Sequence, residues 1–185
     1  VRTELSGIGS FKSALSTFQT AAKKLESIED FYKQTIDASN DDISVSTNGS
    51  ATNGSFAIEV IQLAEATRLQ TPDFANSTTT VGAGSLTFSS ANGDTFNVAI
   101  EATDDLSVIR DKINAESTNF GVNVTLVNHD GGTYLSYSSS ETGTDNTLTV
   151  TTADAALDNL ATNATVTNPA RNGQIKIDGN LVSSS

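Results

Sequence analysis

The sequence has no cysteine, methionine or tryptophan, two prolines and one histidine among its 185 residues. Without cysteine there is neither a disulfide framework nor a thiolate metal site. No apolar run approaches the roughly 18 residues of a membrane span, and Val1-Arg2-Thr3-Glu4 opens the chain without a hydrophobic signal core. Membrane insertion is therefore not expected, and export would proceed without a cleaved signal peptide. Positive charge is scarce as well: ten basic against twenty-two acidic side chains give a net charge of −12. That balance opposes phosphate backbones and anionic lipid, so nucleic acid is excluded as a partner.

Catalytic groups are equally thin. His129 lies in Asn128-His129-Asp130-Gly131-Gly132, where turn propensity explains each neighbour. Asp104, Asp105 and Asp111 fall at spacings that point around a helix, and no loop of alternating oxygen ligands accompanies them. Gly82-Ala83-Gly84 leads into a strand pattern and no lysine, so no helix N-terminus is offered to a phosphate. The Asn-x-Ser/Thr matches at Asn48, Asn53, Asn76, Asn123 and Asn163 follow from a composition rich in those residues. The chain reads as a protein that is not an enzyme and has no cofactor and no metal.

What is present begins with a seam. Ile8, Phe11, Leu15, Phe18 and Leu25 recur at steps of three and four, the pattern of a coiled coil or helical bundle, and no glycine or proline interrupts Phe11 to Ala38. The spacing predicts a helix of about seven turns. Propensity alone leaves such a helix marginal in water, so the seam requires a mate in another subunit or in sequence outside this chain. The missing initiating Met and the ending Leu181-Val182-Ser183-Ser184-Ser185 suggest a fragment.

Ser85 to Tyr137 organises the remainder. Leu86 and Phe88, a turn through Ala91-Asn92-Gly93-Asp94, then Phe96, Val98 and Ile100 form a half-buried hairpin. Helical spacing follows, with Leu106, Ile109 and Ile113 on one stripe able to lid that hairpin and Thr103 or Asp104 as N-cap. Gly121 releases the chain into a strand from Val122 to Leu126, and Asn128 to Gly132 turns it into Thr133 to Tyr137. A β-β-α-β-β unit results. Outside it, Asp41 to Thr47 reads as a strand in hairpin with Phe56-Ile58-Val60, Ser138 to Asp145 as a surface loop, and Ala153 to Ala161 as one or two helical turns with Leu157 and Leu160 inward. The strand Gln174 to Asp178 pairs most economically with Phe56 to Leu63, which makes the central unit an insertion.

The run from Val108 to Val127, with Ile113-Asn114 followed by a polar spacer and Gly121-Val122, resembles the hook motif named for its Ile-Asn pair, shared by flagellins and flagellar filament cap proteins. Gly54 to Ala66, with its Gln62-Leu63-Ala64 element, resembles the strand by which the cap family enters its head domains, and together with Leu135 to Asn146 and Gln174 to Gly179 it favours the cap family over the flagellins. The resemblance implies a structural assembly protein, extracellular at the flagellum tip, that caps the filament and promotes flagellin incorporation. Its implied partners are a homo-oligomeric ring and flagellin, and its leg packing falls on Ile8, Phe11, Leu15, Phe18 and Leu25. The hook-motif core falls on Leu106, Ile109, Ile113, Asn114, Gly121 and Val122.

The expected fold is α+β: an N-terminal coiled-coil-like helix followed by two small β-rich head domains, one inserted into the other. Residues 1–40 form a partial helical leg, 41–81 with 168–185 an outer β head domain, and 82–167 the inserted domain with the hook motif. The alternatives are an adhesin-like surface domain that binds a host glycan or mucin through its polar loops with Tyr134 and Tyr137, and an atypical flagellin.

Overall fold

The structure is a computed structural model and describes residues 2–24, 36–39, 44–46 and 54–184. The chain divides into two units, residues 1–55 and 56–185. In the first, α1 spans Arg2–Lys24, 23 residues. Thr17 and Thr20 donate their hydroxyls to the carbonyls of Ser13 and Ser16, which places a polar stripe along one side. The helix expected to reach Ala38 lies outside the described residues from 25 to 35, and Ile36 to Ala38 are not helical. Most of the strand expected over 41–47 is likewise outside them; Ser44 to Ser46 are the positions described there, and they carry no strand.

The second unit is built from strands β1 (Ile58–Gln62), β2 (Ala66–Gln70), β3 (Gly84–Ser90), β4 (Thr95–Ile100), β5 (Val122–His129), β6 (Gly132–Thr142), β7 (Leu148–Thr152), β8 (Thr165–Asn168), β9 (Gly173–Ile177) and β10 (Asn180–Ser184), with one helix, α2 (Leu106–Ala115). They form three antiparallel sheets, ordered β1-β9-β10, β5-β6-β2-β8 and β4-β3-β7. In the first, β1 pairs with β9 as the sequence suggests, Ile58 opposite Ile177 and Val60 opposite Ile175, and β10 adds Val182 to the same face. Glu59 and Lys176 meet on the other face at 3.7 Å, an exposed pair of little energetic weight.

The other two sheets share one core. Leu86, Phe88, Phe96, Val98, Ile100, Leu148 and Val150 line one wall, and Leu69, Val122, Val124, Leu135 and Tyr137 the other. The rings of Phe88 and Phe96 stack at 4.8 Å, and Phe88 meets Tyr137 edge-on at 5.7 Å, so aromatic contact joins the two walls. The two halves of the expected β-β-α-β-β unit thus belong to different sheets. Helix α2 runs chiefly along β5 and touches β4, the edge strands of the two sheets, and closes the side between them rather than covering the β3-β4 hairpin as a lid. A 3-10 turn, Ala155–Leu160, buries Leu157 and Leu160 beside β3 and β7.

Further corrections follow from pairing. Ser138 to Thr142, expected as loop, continues β6 because β5 and β2 both pair with it. The turn expected over Asn128 to Gly132 contracts to Asp130-Gly131, since His129 pairs with Gly132. Ala66–Gln70, expected in the outer domain, pairs with β6 and β8, and the bridges Phe74 to Thr133 and Thr80 to Asp105 hold the following segment to the same body. The chain passes between the two β bodies at Glu65 and Arg171, which exchange both backbone bonds at 2.9 and 3.0 Å, and not at the polar stretch 75–84.

Candidate functional site

Each of the two units carries one candidate feature. The first is the stripe on α1. Phe11, Leu15 and Phe18 lie on one side of the helix, opposite the Ser/Thr stripe, and are 70%, 55% and 70% exposed. Apolar side chains of this size on one helical face leave unpartnered surface that water disfavours. The side chains of Ile8 and Leu25, also assigned to this seam, lie outside the described residues.

The second is the Ile-Asn segment. Leu106, Ile109 and Ile113 are fully buried and Val122 nearly so. Asn114, one residue beyond, turns its amide to β5: its Nδ2 donates to the Val124 carbonyl and its Oδ1 accepts from the Val124 N–H, both at 2.8 Å. The adjacent residues of the motif therefore divide the work, Ile113 filling the core and Asn114 bonding a strand edge. Asn119, which sequence reasoning did not single out, does the same one rung earlier. Its Nδ2 donates to the carbonyls of Ile113 and Val122, and its Oδ1 accepts from the N–H groups of Gly121 and Val122. The signal available was Asn119 two residues before Gly121, the spacing of a side-chain-closed turn. Gly121 takes φ +111°, and a Cβ there would meet Ser140 Oγ at 2.1 Å, so the position requires glycine.

The start of α2 differs from expectation. Asp105 is the N-cap, its Oδ1 accepting from the Val108 N–H at 2.9 Å. Asp104 stands before the cap, where its carboxylate accepts from Lys112 Nζ and from the Glu101 N–H. The bond from Lys112, followed by that from Glu101, holds the Asp104 carboxyl below its ordinary value of 3.8. A carboxyl depressed on folding stabilises the fold above its unfolded value and loses that contribution as pH falls through the folded one. Asp104→Asn should accordingly flatten the acid side of the stability profile below about pH 4, checked by urea unfolding at stepped pH.

Elsewhere, His129 Nε2 meets Asp73 Oδ1 at 2.9 Å and its Nδ1 accepts from the Gly131 N–H, a local closure of the β5-β6 hairpin. Tyr137, expected as a stacking platform for glycan, is fully buried and donates its hydroxyl to the Leu160 carbonyl at 3.0 Å, and burial pushes its phenol up. It cannot stack on a sugar. Among the described residues no group of three His, Asp or Glu stands close enough to hold a metal ion, and no helix is long and apolar enough to cross a membrane.

Comparison with known proteins places this architecture. A family model described as the flagellar hook-associated protein 2 N-terminus matches residues 1–67, and one described as the flagellin hook IN motif matches residues 85–154. Flagellar hook-associated protein 2 of Aeromonas caviae is 37% identical over 97% of this chain, which spans 40% of that protein. The crystal structure of the D1-D2-D3 domains of the flagellar cap protein FliD from Escherichia coli is 31% identical, with a TM-score of 0.74 over 98% of this chain and 55% of that one. The D2-D3 domains of the same protein give 31% identity and a TM-score of 0.68 over 80% of this chain and 82% of that one. With one family model covering the strand that leads to Gln62-Leu63-Ala64, another covering the Ile-Asn helix, and 37% identity over nearly the whole chain, the chain belongs to the flagellar hook-associated protein 2 family, the flagellar cap proteins.

Proposed function

We propose that this chain is part of a cap at the distal end of the bacterial flagellar filament, where the whole protein assembles as a homo-oligomeric ring and promotes the incorporation of flagellin. The reading is of a structural protein, extracellular at the flagellum tip, exported without a cleaved signal peptide and without catalytic activity. Family membership supports it, and one observation carries it: a long helix whose Phe11, Leu15 and Phe18 are exposed on one stripe opposite a Ser/Thr stripe. In the assembled protein this stripe, with Ile8 and Leu25, packs between helices of the leg, while 56–184 forms outward heads with an inserted β body. Removing one such Leu or Phe from a packed seam costs about 2–5 kcal/mol.

The test is complementation of a cap-deficient strain with the whole protein carrying Leu15→Asp. An aspartate buried in the seam without a partner is strongly disfavoured. Loss of swimming and release of unpolymerised flagellin into the medium are expected. Normal filaments from that variant would remove the assembly role of the stripe.

A further inference from the structure

Strand β5 is an edge of its sheet, and at eight residues it is the longest edge strand of the two-sheet body, against six for β4, five for β7 and four for β8. Val122 to Asn128 is uncharged and contains three valines, a threonine and a leucine. A long, uncharged, β-branched edge presents unpaired N–H and C=O groups that template pairing with another chain. Proteins commonly blunt such edges with lysine, proline or a bulge. None of those lies in β5, and what stands beside its edge is α2 with the turn that follows it.

The alternation of the ladder fixes which groups are at risk. Ser140 donates its N–H to the Gly121 carbonyl, so the backbone polar groups of 121, 123 and 125 face β6 and those of Val122, Val124, Leu126 and Asn128 face outward. The two outward residues nearest α2 are the two that the asparagines satisfy. Asn114 takes both groups of Val124 and Asn119 both groups of Val122, at 2.7–2.8 Å. A primary amide carries a donor and an acceptor in one plane, so each side chain reproduces one rung of an antiparallel neighbour.

We infer that Asn114 and Asn119 act together as a two-rung surrogate strand that closes the edge of β5 against pairing with a strand from a second copy of this chain. The stub left over, Leu126 and Asn128, is too short to hold a neighbour without the first two rungs. The Ile-Asn pair then joins two functions in adjacent residues: Ile113 anchors α2 in the core, and Asn114 seals the edge that the anchored helix reaches. A merely structural amide would steady α2 and nothing more. The surrogate-strand role adds that its removal creates a new contact between copies.

The test uses this chain with residue-resolved amide hydrogen exchange and sedimentation velocity. In Asn114→Ala the Val124 amide should exchange roughly tenfold or more faster than in the parent, while Thr125, bonded to β6, should not change. Asn114→Ala with Asn119→Ala should self-associate with rising concentration beyond whatever the parent shows. Ile113→Val, which loosens α2 but leaves both amides in place, should not. If the double variant does not fold, Asn114→Ala alone serves: it frees both backbone groups of Val124 next to those of Leu126 and Asn128, and it should associate more than the parent without adding a charge to the edge. Parent-like sedimentation of the folded amide variants at every concentration would overturn the inference, as would equal association by Ile113→Val.

Discussion

Phe88→Ala should lower the stability of the two-sheet body by about 3–5 kcal/mol, the range of a fully buried aromatic truncated in a packed core. Phe88 is fully buried on β3, the central strand of its sheet, so no edge can relax around the vacancy. Its ring stacks on Phe96 and meets Tyr137 edge-on, and Phe96 in turn meets Phe120 at 5.4 Å. Truncation therefore removes the contact that spans the two walls as well as the area of one ring. Folded domains hold about 5–15 kcal/mol in total, so the loss is at least about a fifth of the stability of such a body. Urea unfolding with a midpoint shift at constant m-value checks the effect, and a shift below about 1 kcal/mol would mean that the walls are held together elsewhere.

Gly132→Ala should cost about 2–4 kcal/mol, a large effect for one methyl group. Gly132 takes φ +139°, where side chains are strained, and a Cβ would stand 2.3 Å from the Phe74 carbonyl oxygen, which is backbone and cannot swing aside. The clash falls on the bridge where Phe74 and Thr133 exchange bonds of 2.7 and 2.8 Å, so the methyl is accommodated by opening that bridge. Gly93→Ala is the control. It shares the positive φ, at +105°, but its Cβ meets nothing within 4 Å, so it should cost only the backbone strain of about 1 kcal/mol. Thermal unfolding of the pair separates clash from strain, and equal losses would contradict the assignment.

How much of this was legible in the sequence follows from which forces leave a local trace. The β3-β4 hairpin, α2 and the inward Leu157 and Leu160 were readable because each is coded by periodicity within a few residues, and their side chains are buried as the spacing requires. The partition of that segment into two sheets was not. Strand order depends on long-range pairing, and β2 joins β6 across more than sixty residues with no local mark. Strand β8 was missed because Thr165 to Asn168 is exposed at its first three positions and carries little apolar pattern. In the hook motif the buried residues were evident from the helical stripe, whereas the bonding role of Asn114 and Asn119 depends on which backbone groups of β5 turn outward. The N-cap was misplaced by one or two residues because three polar residues in succession, Thr103 to Asp105, all suit the position.

The central claim is that an apolar stripe on the first helix serves assembly while the β bodies fold by themselves. It is tested most directly by sedimentation velocity of the whole protein with and without Leu15→Asp, paired with urea unfolding of each. The account predicts that the substitution weakens or abolishes the oligomer and leaves the cooperative unfolding of the heads unchanged. An oligomer that persists undiminished would contradict it.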